Sequence, residues 1–285
     1  MEINDEMNNI GSKIKSRRKL MALSQTQLAA RANVSQTMIS RLENHDNSIP
    51  LEHFIAIINV LSIDVTDIVP NATTEKVLIA MHMLDSARAT RDLKSIRHIL
   101  NSHPISFWNK SPELQIYKTW HEAIIDYHNG DVADAISKIK RLINQYMDIP
   151  GCYEIMAQVL NNYGNILTEP EQRVRVYTHA KKMFLKSAHQ NYKTYINILV
   201  NLANLYCEMS NYKQSLRHVN EGYKVLHSQH STFHLTKLII IECNAHHFQK
   251  NYSKCMEILM GAQTIFMLSE QLELWQRYKE LFTGE

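Results

Sequence analysis

A short pattern repeats every forty residues through the second part of the chain, and this spacing constrains the fold more than any other feature of the sequence. The repeated segment lies early in the second helix of each predicted helix pair. Its central residues are Ser95, Ala135, Arg175, Ser215 and Cys255. Most of them are small, as expected where two helices touch closely, and Arg175 makes the third repeat the most degenerate. A period of about forty residues with two helices per unit predicts an α-solenoid of about five helix pairs.

Composition favours a fully helical chain. Only seven glycines and six prolines occur in 285 residues, whereas residues that favour helices are plentiful. Strand-like alternation of apolar and polar residues is absent, so we expect an all-α fold. The length suits two domains, because a single hydrophobic core rarely grows beyond about 250 to 300 residues.

The opening of the chain carries no signal for export. Met1 to Ile10 is polar and acidic, and no later segment approaches about 18 consecutive apolar residues. We therefore expect a cytoplasmic protein with no membrane partner. The four cysteines form no CxxC motif and lie within helical patterns, which indicates reduced, mostly buried thiols.

Positive charge is concentrated near the amino terminus, although the formal net charge of the whole chain is only +3. Residues 11–41 contain no Asp or Glu, and their seven basic side chains are Lys13, Lys15, Arg17, Arg18, Lys19, Arg31 and Arg41. A basic face of this kind suits a phosphate-rich partner. Charge alone is equally compatible with a solvated helix face, so the partner must be inferred from the local motif.

The basic region is patterned as short helices joined by tight turns. Ile10, Ile14 and Met21 lie on one stripe of a first helix, which ends before Ser24. Ser24 and Gln27 have the spacing of a capping box, in which each side chain satisfies a backbone amide at the start of a helix. The spacing predicts a second helix from residue 25 to about residue 32.

A second tight turn follows at Asn33, because asparagine is one of the few residues other than glycine that readily adopt a left-handed conformation. Ser35 then caps a third helix over residues 36–43, in which Ile39 and Leu42 face inward. The side chains left pointing outward are Gln36, Thr37, Ser40 and Arg41.

Two further helices complete the first domain. Pro50 is predicted at the start of a fourth helix, and residues 64–68 are predicted to form a short fifth helix. Pro70 breaks the pattern. We therefore expect a first domain at residues 1–70 and a second domain at residues 71–285.

The segments Leu23–Ala29 and Asn33–Asn44 resemble the phage-repressor (Cro/C1, XRE) helix-turn-helix family, over about residues 8–69. The resemblance implies a DNA-binding domain of five helices, whose third helix enters the major groove while the second lies across the backbone. Because one short helix contacts too few bases to select a genomic site, we expect a homodimer on an imperfect palindrome in double-stranded DNA.

Side-chain chemistry suggests which residues read bases and which hold phosphates. Arg41 suits the O6 and N7 atoms of guanine, Gln36 can read adenine, and the Thr37 methyl group can contact that of thymine. Ser40 shares their outward face. By resemblance, Gln25 and Ser35 hold phosphates. The residues expected to add sequence-independent attraction to phosphate are Lys13, Arg17 and Arg18.

The later repeats, from Asn201 to Leu216 and from His246 to Met256, are similar to degenerate tetratricopeptide repeats, although their period is longer than the usual 34 residues. Residues 271–282 are predicted to form a capping helix over the last open face. The first helix of each pair then lines a concave groove that suits a peptide.

Asparagines recur on the first helices of the repeats. Asn161 and Asn201 occupy the same repeat position, and Asn165 and Asn204 lie nearby. Because an amide both donates and accepts hydrogen bonds, these residues can hold the backbone of an extended peptide. A solvated polar face is the alternative. Weaker candidates for a peptide side chain or carboxylate are Lys237, Trp275 and Tyr278.

A helix-turn-helix followed by about five such repeats resembles the PlcR, PrgX and Rgg (RRNPP) family of Gram-positive quorum-sensing regulators, and the run from Asn201 to Leu216 resembles the PlcR-type members. The resemblance implies a homodimer that binds DNA and a short signalling peptide and changes transcription in response. The alternative is a constitutive repressor or scaffold whose groove binds a protein or no ligand. We expect no enzyme, cofactor or metal site, because the sequence contains no HExxH, Gly-rich phosphate loop or GxSxG motif.

Overall fold

The computed structural model describes residues 2–44, 49–63, 72–188 and 190–283, and these residues contain helices and no strand. The helices of the first part are α1 (Glu2–Leu20), α2 (Gln25–Ala32), α3 (Gln36–Glu43), α4 (Leu51–Val60) and α5 (Ala72–Ala89). The later helices are α6 (Leu93–Ser102), α7 (Ile105–Trp108), α8 (Pro112–Asn129), α9 (Val132–Tyr146), α10 (Tyr153–Ile166), α11 (Pro170–Lys186), α12 (Tyr192–Glu208), α13 (Tyr212–Ser228), α14 (Leu235–Phe248), α15 (Tyr252–Gly261), α16 (Gln263–Leu268) and α17 (Leu272–Thr283). One turn of 3-10 helix lies at Pro150–Cys152.

The chain divides into two compact units, Met1–Ser86 and Ala87–Glu285. The predicted domain boundary between residues 70 and 71 and the predicted helix at residues 64–68 lie outside the described residues, so both stay predictions. The division of the structure after Ser86 lies within helix α5.

A small apolar core holds the first unit together. Its fully buried side chains include Ile14, Leu28, Ile39, Leu42, Ile57 and Leu61. The predicted inward orientation of Ile39 and Leu42 is therefore confirmed. Met21 was expected on the same inner stripe, but it is 37% exposed. The reason is that α1 ends at Leu20 and the chain reverses at Ala22, which has a φ of 53°.

A common turn joins consecutive helices at four places in the second unit. A residue with positive φ ends the first helix and an Asp or Asn caps the second, at Arg91–Asp92, Gly130–Asp131, Ser210–Asn211 and Lys250–Asn251. The cap side chain accepts a backbone N–H at Asp92, Asn211 and Asn251. We call this arrangement the left-handed turn. It reverses the chain within two residues, so consecutive helices become antiparallel neighbours.

The helix pairs stack through their first helices. Helix α8 contacts α10, α10 contacts α12 and α12 contacts α14, and the second helix of each of these pairs also contacts the first helix of the next. This is the packing of an α-solenoid, so the predicted fold class is confirmed. We call the surface formed by α8, α10, α12 and α14 the first-helix face.

Tight packing within a pair occurs at the fourth residue of the second helix. Ala135, Ser215 and Cys255 occupy this position and are fully buried, as the spacing predicts. The Ser215 hydroxyl donates to the backbone oxygen of Ala203 at 2.8 Å. The side chain at this position is therefore pressed against the backbone of the facing helix, which explains why it is small.

Two pairs depart from the predicted spacing of forty residues. The fourth residue is Ile96 in α6 and Arg173 in α11, so Ser95 lies one residue too early and Arg175 two residues too late. Arg175 is exposed rather than packed within the pair. In the third pair the cause is the connection, because α11 follows α10 without the left-handed turn and begins at Pro170.

The third pair solves the same packing problem in a different way. Gly164 on α10 faces the fully buried ring of Tyr177 on α11, and a Cβ atom at Gly164 would lie 2.2 Å from Tyr177 Cε1. Arg173 Nε donates to the backbone oxygen of Gly164 at 3.2 Å, as the Ser215 hydroxyl does to Ala203. A glycine on the first helix thus makes room for a large side chain on the second.

The carboxyl-terminal end of the solenoid is closed by α17, which confirms the predicted capping helix. The short helix α7 lies between the first two pairs and was not predicted. The four cysteines are buried and unpaired, as expected, and burial raises the pKa of the Cys152 thiol to about 11. Among the described helices, none combines the length and the apolar character needed to cross a bilayer.

The contact between Gly164 and Tyr177 predicts that Gly164→Ala destabilises the third pair. The added methyl group must displace a fully buried ring, and overpacking of this kind costs about 1 to 3 kcal/mol. Hydrogen exchange of the α10 and α11 amides measures the loss in the full chain. Gly261→Ala is the control, because its added Cβ atom meets no atom within 4 Å. Equal protection in Gly164→Ala and in the control would contradict the prediction.

Candidate functional site

Helices α2 and α3 begin and end with the local hydrogen bonds that the sequence predicts. The Ser24 hydroxyl accepts the Gln27 backbone N–H at 3.0 Å, and the Gln27 side chain accepts the Ser24 N–H at 2.8 Å. Asn33 has a φ of 53° and a ψ of 45°, which is the predicted left-handed conformation. The Ser35 hydroxyl accepts the Met38 N–H at 3.2 Å. These caps fix where α3 begins and therefore which of its side chains face outward.

The outward face of α3 is polar, as predicted. Gln36, Thr37 and Arg41 are exposed and Ser40 is half-buried. Their orientation is therefore confirmed, whereas their roles toward bases stay predictions. The face presents amide, hydroxyl and guanidinium groups, which are the groups that read base edges in a major groove.

A chain of hydrogen bonds connects this outward face to the interior of the first unit. The Gln36 side-chain amide donates to the Gln25 side-chain oxygen at 2.8 Å, and the Gln25 amide donates to Glu43 at 2.9 Å. Arg18 donates to the same carboxylate through Nε at 2.5 Å and Nη2 at 2.8 Å. The first residue of α3 is thereby held through Gln25 to an ion pair beneath the surface.

The ion pair is buried, with 8% of Arg18 and 3% of Glu43 exposed. Burial alone would raise the pKa of Glu43, but hydrogen bonds from Arg18 and Gln25, together with the positive charges of Arg18 and Lys15, outweigh it and lower that pKa below its usual range. Arg18 also donates to the backbone oxygen of Leu23 at 2.7 Å. The pair therefore connects α1, the end of α3 and the turn before α2.

The three basic residues that were predicted to attract phosphate lie in different surroundings in the structure. Arg18 is buried and bound to Glu43, so it is not among the residues that we propose to face DNA. Arg17 is exposed, and its Nε donates to the backbone oxygen of Leu61 at 3.1 Å. Lys13 is half-buried on α1. Arg18 differs from its neighbour Arg17 in its long-range contact with Glu43, which the local sequence does not reveal.

The first-helix face of the second unit carries the predicted asparagines. The Asn201 side-chain amide donates to the Asn161 side-chain oxygen at 2.9 Å, and both residues are half-buried. Their common repeat position therefore brings them side by side on α12 and α10. The two amides form one polar unit across neighbouring pairs, with a further acceptor on Asn201 and further donors on Asn161.

The other two predicted asparagines have partners of their own. Asn165 accepts the Tyr177 hydroxyl at 2.6 Å and is exposed on the other side. Asn204 is exposed and donates to Glu208 at 2.6 Å. Asn162, which was not predicted, accepts the Trp120 indole N–H at 3.3 Å. Asn162 and Asn165 also line a cavity at the α8 and α10 end of this face.

The candidates near the end of the chain differ in their burial and contacts. Trp275 is 5% exposed, and its indole N–H donates to the backbone oxygen of Leu259 at 2.8 Å, so it closes the last pair rather than lining a groove. Tyr278 is half-buried against the same core. Lys237 is exposed on α14 and lies 3.4 Å from His234 Nε2. The expectation that Trp275 contacts a peptide is therefore corrected. The capping helix uses this large side chain to cover the apolar end of the solenoid.

Two arginines that the sequence analysis did not single out, Arg88 and Arg91, lie in and just beyond the end of α5. Arg88 lies over the Trp120 ring, 4.4 Å from its centroid, and donates to Gln158 at 3.4 Å. Arg91 follows in the left-handed turn and lines the same cavity as Arg88. The repeat pattern of the first pair is limited to the segment around Ser95, so it did not place these arginines beside α8 and α10. Among the described residues, no group of three or more His, Cys, Asp or Glu could hold a metal ion.

Comparison with known proteins agrees with the division of the chain into two units. The helix-turn-helix family model matches residues 14–68, so the first unit contains a helix-turn-helix domain. No curated protein sequence is significantly similar to this chain.

Several solved structures share the fold over the full length. PlcR of Bacillus thuringiensis, solved with the peptide PapR7 and DNA, matches with a TM-score of 0.66 and 18% identity, covering 98% of this chain and 100% of PlcR. The SHP pheromone receptor Rgg2 of Streptococcus dysgalactiae matches at 0.63 and 14%, covering 96% and 99%. The apo competence regulator ComR of Streptococcus vestibularis matches at 0.50 and 16%, covering 97% and 99%. The resemblance to the PlcR, PrgX and Rgg group is therefore confirmed for the fold.

The buried ion pair predicts that Glu43→Gln destabilises the first unit by about 3 kcal/mol or more, because Arg18 is left buried without a counter-charge. Hydrogen exchange of the α1 and α3 amides in the full chain measures the loss. Glu52→Gln, which removes an exposed carboxylate from α4, is the control.

The pH dependence gives an independent check. Because the pKa of Glu43 is lower in the folded state than the ordinary value of about 4.3, its contribution is present above that value and is lost as the pH falls through the folded pKa. Protection of α1 and α3 in the wild type should therefore fall more steeply with acid than in Glu43→Gln. Parallel acid profiles would contradict the assigned role of the pair.

Proposed function

We propose that this protein is a sequence-specific transcription regulator whose affinity for DNA is controlled by a short peptide bound on the first-helix face. The observation that carries the proposal is the full-length match to PlcR, a protein solved with both a peptide and DNA. Side chains in both units support this proposal. An outward polar face on α3 suits base edges, and the paired amides of Asn161 and Asn201 suit a peptide backbone.

On DNA, α3 lies in the major groove and presents its first two turns to base edges. Arg41 donates to guanine and Gln36 reads adenine, while Thr37 contacts a thymine methyl group and Ser40 lies beside them. The hydrogen bond from Gln36 to Gln25 holds the reading amide in place before DNA arrives. This reduces the side-chain freedom that Gln36 loses on binding.

Phosphates are held at the edges of this surface. Gln25 and Ser35 lie at the starts of α2 and α3, and Lys13 and Arg17 add positive charge from α1. These contacts are independent of sequence, so they set the position of the domain and the salt dependence of binding. Two copies of the chain provide two recognition helices, and the operator is then an imperfect palindrome with half-site centres about 10 base pairs apart or at a multiple of that spacing.

The peptide lies along the first-helix face. Asn201 and Asn161 each keep amide groups beyond their mutual hydrogen bond, and these groups pair with the backbone of an extended peptide. Asn165 and Asn204 extend the polar row, and Lys237 supplies a cation on the next first helix. A peptide alters transcription only if it binds one state of the whole chain more tightly than another.

The two kinds of DNA contact predict different effects of mutation. Arg41→Ala should lose about 1 to 3 kcal/mol on the preferred operator and relax the choice of one base pair in each half-site. Lys13→Ala should weaken binding to every sequence alike and reduce the salt slope by about one. Selection from a random duplex library, followed by salt titrations, measures both. An unchanged sequence preference in Arg41→Ala would show that α3 does not read bases as proposed.

The paired amides predict a loss of peptide affinity in Asn201→Ala. Peptides that co-purify with the protein are identified by mass spectrometry, synthesised and titrated by calorimetry. Because the substitution leaves peptide groups unpaired, affinity should fall by about 1 to 3 kcal/mol, and the DNA response should need correspondingly more peptide. Asn220→Ala, an exposed site on α13 of the same pair, should bind like the wild type. Equal affinity of the folded Asn201→Ala protein would remove Asn201 from the site.

A further inference from the structure

Charge is divided unevenly between the two kinds of helix in the solenoid. In the second to fifth pairs, the second helices α9, α11, α13 and α15 contain twelve Lys or Arg and four Asp or Glu. The first helices of the same pairs, α8, α10, α12 and α14, contain three Lys or Arg and six Asp or Glu. The formal net charge of +3 for the whole chain conceals this separation. The second helices therefore form the positive side of the second unit.

Exposed cations continue over three of these second helices. They are Lys140 and Arg141 on α9, Arg175, Lys182 and Lys186 on α11, and Lys213, Arg217 and Lys224 on α13. Among the described residues, none of these eight side chains forms an ion pair. Of the acidic residues on the same helices, Asp134 and Glu171 lie in the first turn and Glu221 is bound to Lys181. We call the surface formed by the eight cations the second-helix face.

The packing of the solenoid places these helices next to one another. Helices α9 and α11 both pack against α10, and α11 and α13 both pack against α12. An ion pair of 2.6 Å between Lys181 and Glu221 joins α11 directly to α13. On each of these two helices, two exposed cations are seven residues apart, which is two helical turns or about 10 Å. These cations are Arg175 and Lys182 on α11 and Arg217 and Lys224 on α13.

An open groove of about 640 Å³ adjoins the cations of α9. Its lining includes Lys140 and Arg141, the hydroxyl group of Ser137 and the amides of Asn144 and Gln145. Hydroxyl and amide groups donate hydrogen bonds to phosphate oxygens, and such contacts carry no information about base sequence. The second-helix face therefore offers neutral donors as well as positive charge.

The exposed side chains restrict the kind of polyanion. Among the described residues of α9, α11 and α13, no Phe, Tyr or Trp is exposed, so the bases of a single strand find no ring on which to stack. The large apolar side chains exposed on these helices are Val132 and Leu185, too few to form the apolar face by which a helix enters a lipid surface. Duplex DNA keeps its bases inside and presents one phosphate charge for about every 1.7 Å of its axis. It is the polyanion that these side chains fit.

We propose that the second-helix face is a second DNA contact of this protein, separate from α3, which binds the phosphates of a duplex of any sequence. The choice of DNA among polyanions rests on the proposed function, in which the first unit binds DNA. The bound phosphates have two sources, the DNA that flanks the operator and a separate duplex. In either case the contact raises the affinity for DNA and its dependence on salt.

Two fourfold variants of the full chain separate position from net charge. The face variant replaces the spaced cations of α11 and α13 by glutamine, at Arg175, Lys182, Arg217 and Lys224. The control variant replaces four exposed cations outside the face by glutamine, at Lys110, Lys193, Lys250 and Arg277. Both variants lose the same charge. Two double variants, with the α11 or the α13 cations replaced alone, repeat the test if the fourfold face variant does not fold.

The probe is a random-sequence duplex of about 60 base pairs, and its dissociation constant is measured as a function of salt concentration. The control variant should bind it like the wild type to within about twofold, because its substitutions lie away from the proposed phosphates. The face variant should bind at least about tenfold more weakly at about 0.1 M salt, and its salt slope should be smaller by about two to four, since each phosphate contact contributes about 0.9. Each double variant should show part of this loss.

A two-colour measurement identifies the source of the phosphates. Random duplexes that carry two different fluorophores are mixed with the protein, and single complexes are scored for both colours. Complexes with both colours in the wild type and the control variant, but not in the face variant, would indicate a separate duplex. One colour in each complex, together with the weaker binding of the face variant, would indicate DNA continuous with that bound by the first unit.

Equal losses in the face and control variants would overturn the proposal, because the effect would then follow net charge alone. Unchanged affinity in the face variant would also overturn it. Binding to phosphatidylglycerol vesicles that depends on the face, with DNA binding unchanged, would assign the surface to a membrane instead. The proposed function fails or stands on other results, namely the sequence preference of Arg41→Ala and the effect of peptide on DNA affinity, and neither requires the second-helix face.

Discussion

In three of the helix pairs, a small side chain at the fourth position of the second helix packs against the facing helix, and this contact sets the spacing of the solenoid. Ala135, Ser215 and Cys255 are fully buried there, and a residue of this size lets the helices of a pair approach closely. Each pair buries its remaining apolar surface only against the next pair, so the pairs must stack. Stacking then aligns the first helices and brings Asn161 within hydrogen-bond distance of Asn201. The polar row on the first-helix face is thus a consequence of how the apolar surface is buried.

A different constraint organises the first unit. Its core is small, and an ion pair between Arg18 and Glu43 lies within it. Burying two charges is costly unless their hydrogen bonds are complete. Here the guanidinium also binds the Leu23 carbonyl and the carboxylate also accepts Gln25, so the pair is well satisfied. The same bonds extend to Gln36, which gives the outward face of α3 a fixed starting point.

Local features of the fold could be predicted from the sequence because they depend on residues close in the chain. The capping box at Ser24, the left-handed Asn33 and the repeat spacing of the last two pairs are of this kind. Features that depend on contacts between residues far apart in the chain could not be predicted in this way. Arg18 differs from Arg17 through a partner 25 residues away, and the local sequence does not show that Trp275 packs against Leu259 rather than a ligand. The arginines of the cavity lie outside the repeated segment around Ser95, so the pattern did not reveal them. The spacing failed at Arg175 because the third pair lacks the left-handed turn.

The central claim is that a peptide in the second unit controls the affinity of the first for DNA. Thermodynamic linkage makes this claim directly measurable, because coupling between two binding sites is reciprocal. The dissociation constant of the operator is measured with and without saturating peptide, and that of the peptide with and without saturating operator. Both ratios should differ from one by the same factor, about 5 to 150. A ratio of one in both titrations would contradict the claim, even if DNA and peptide each bind tightly.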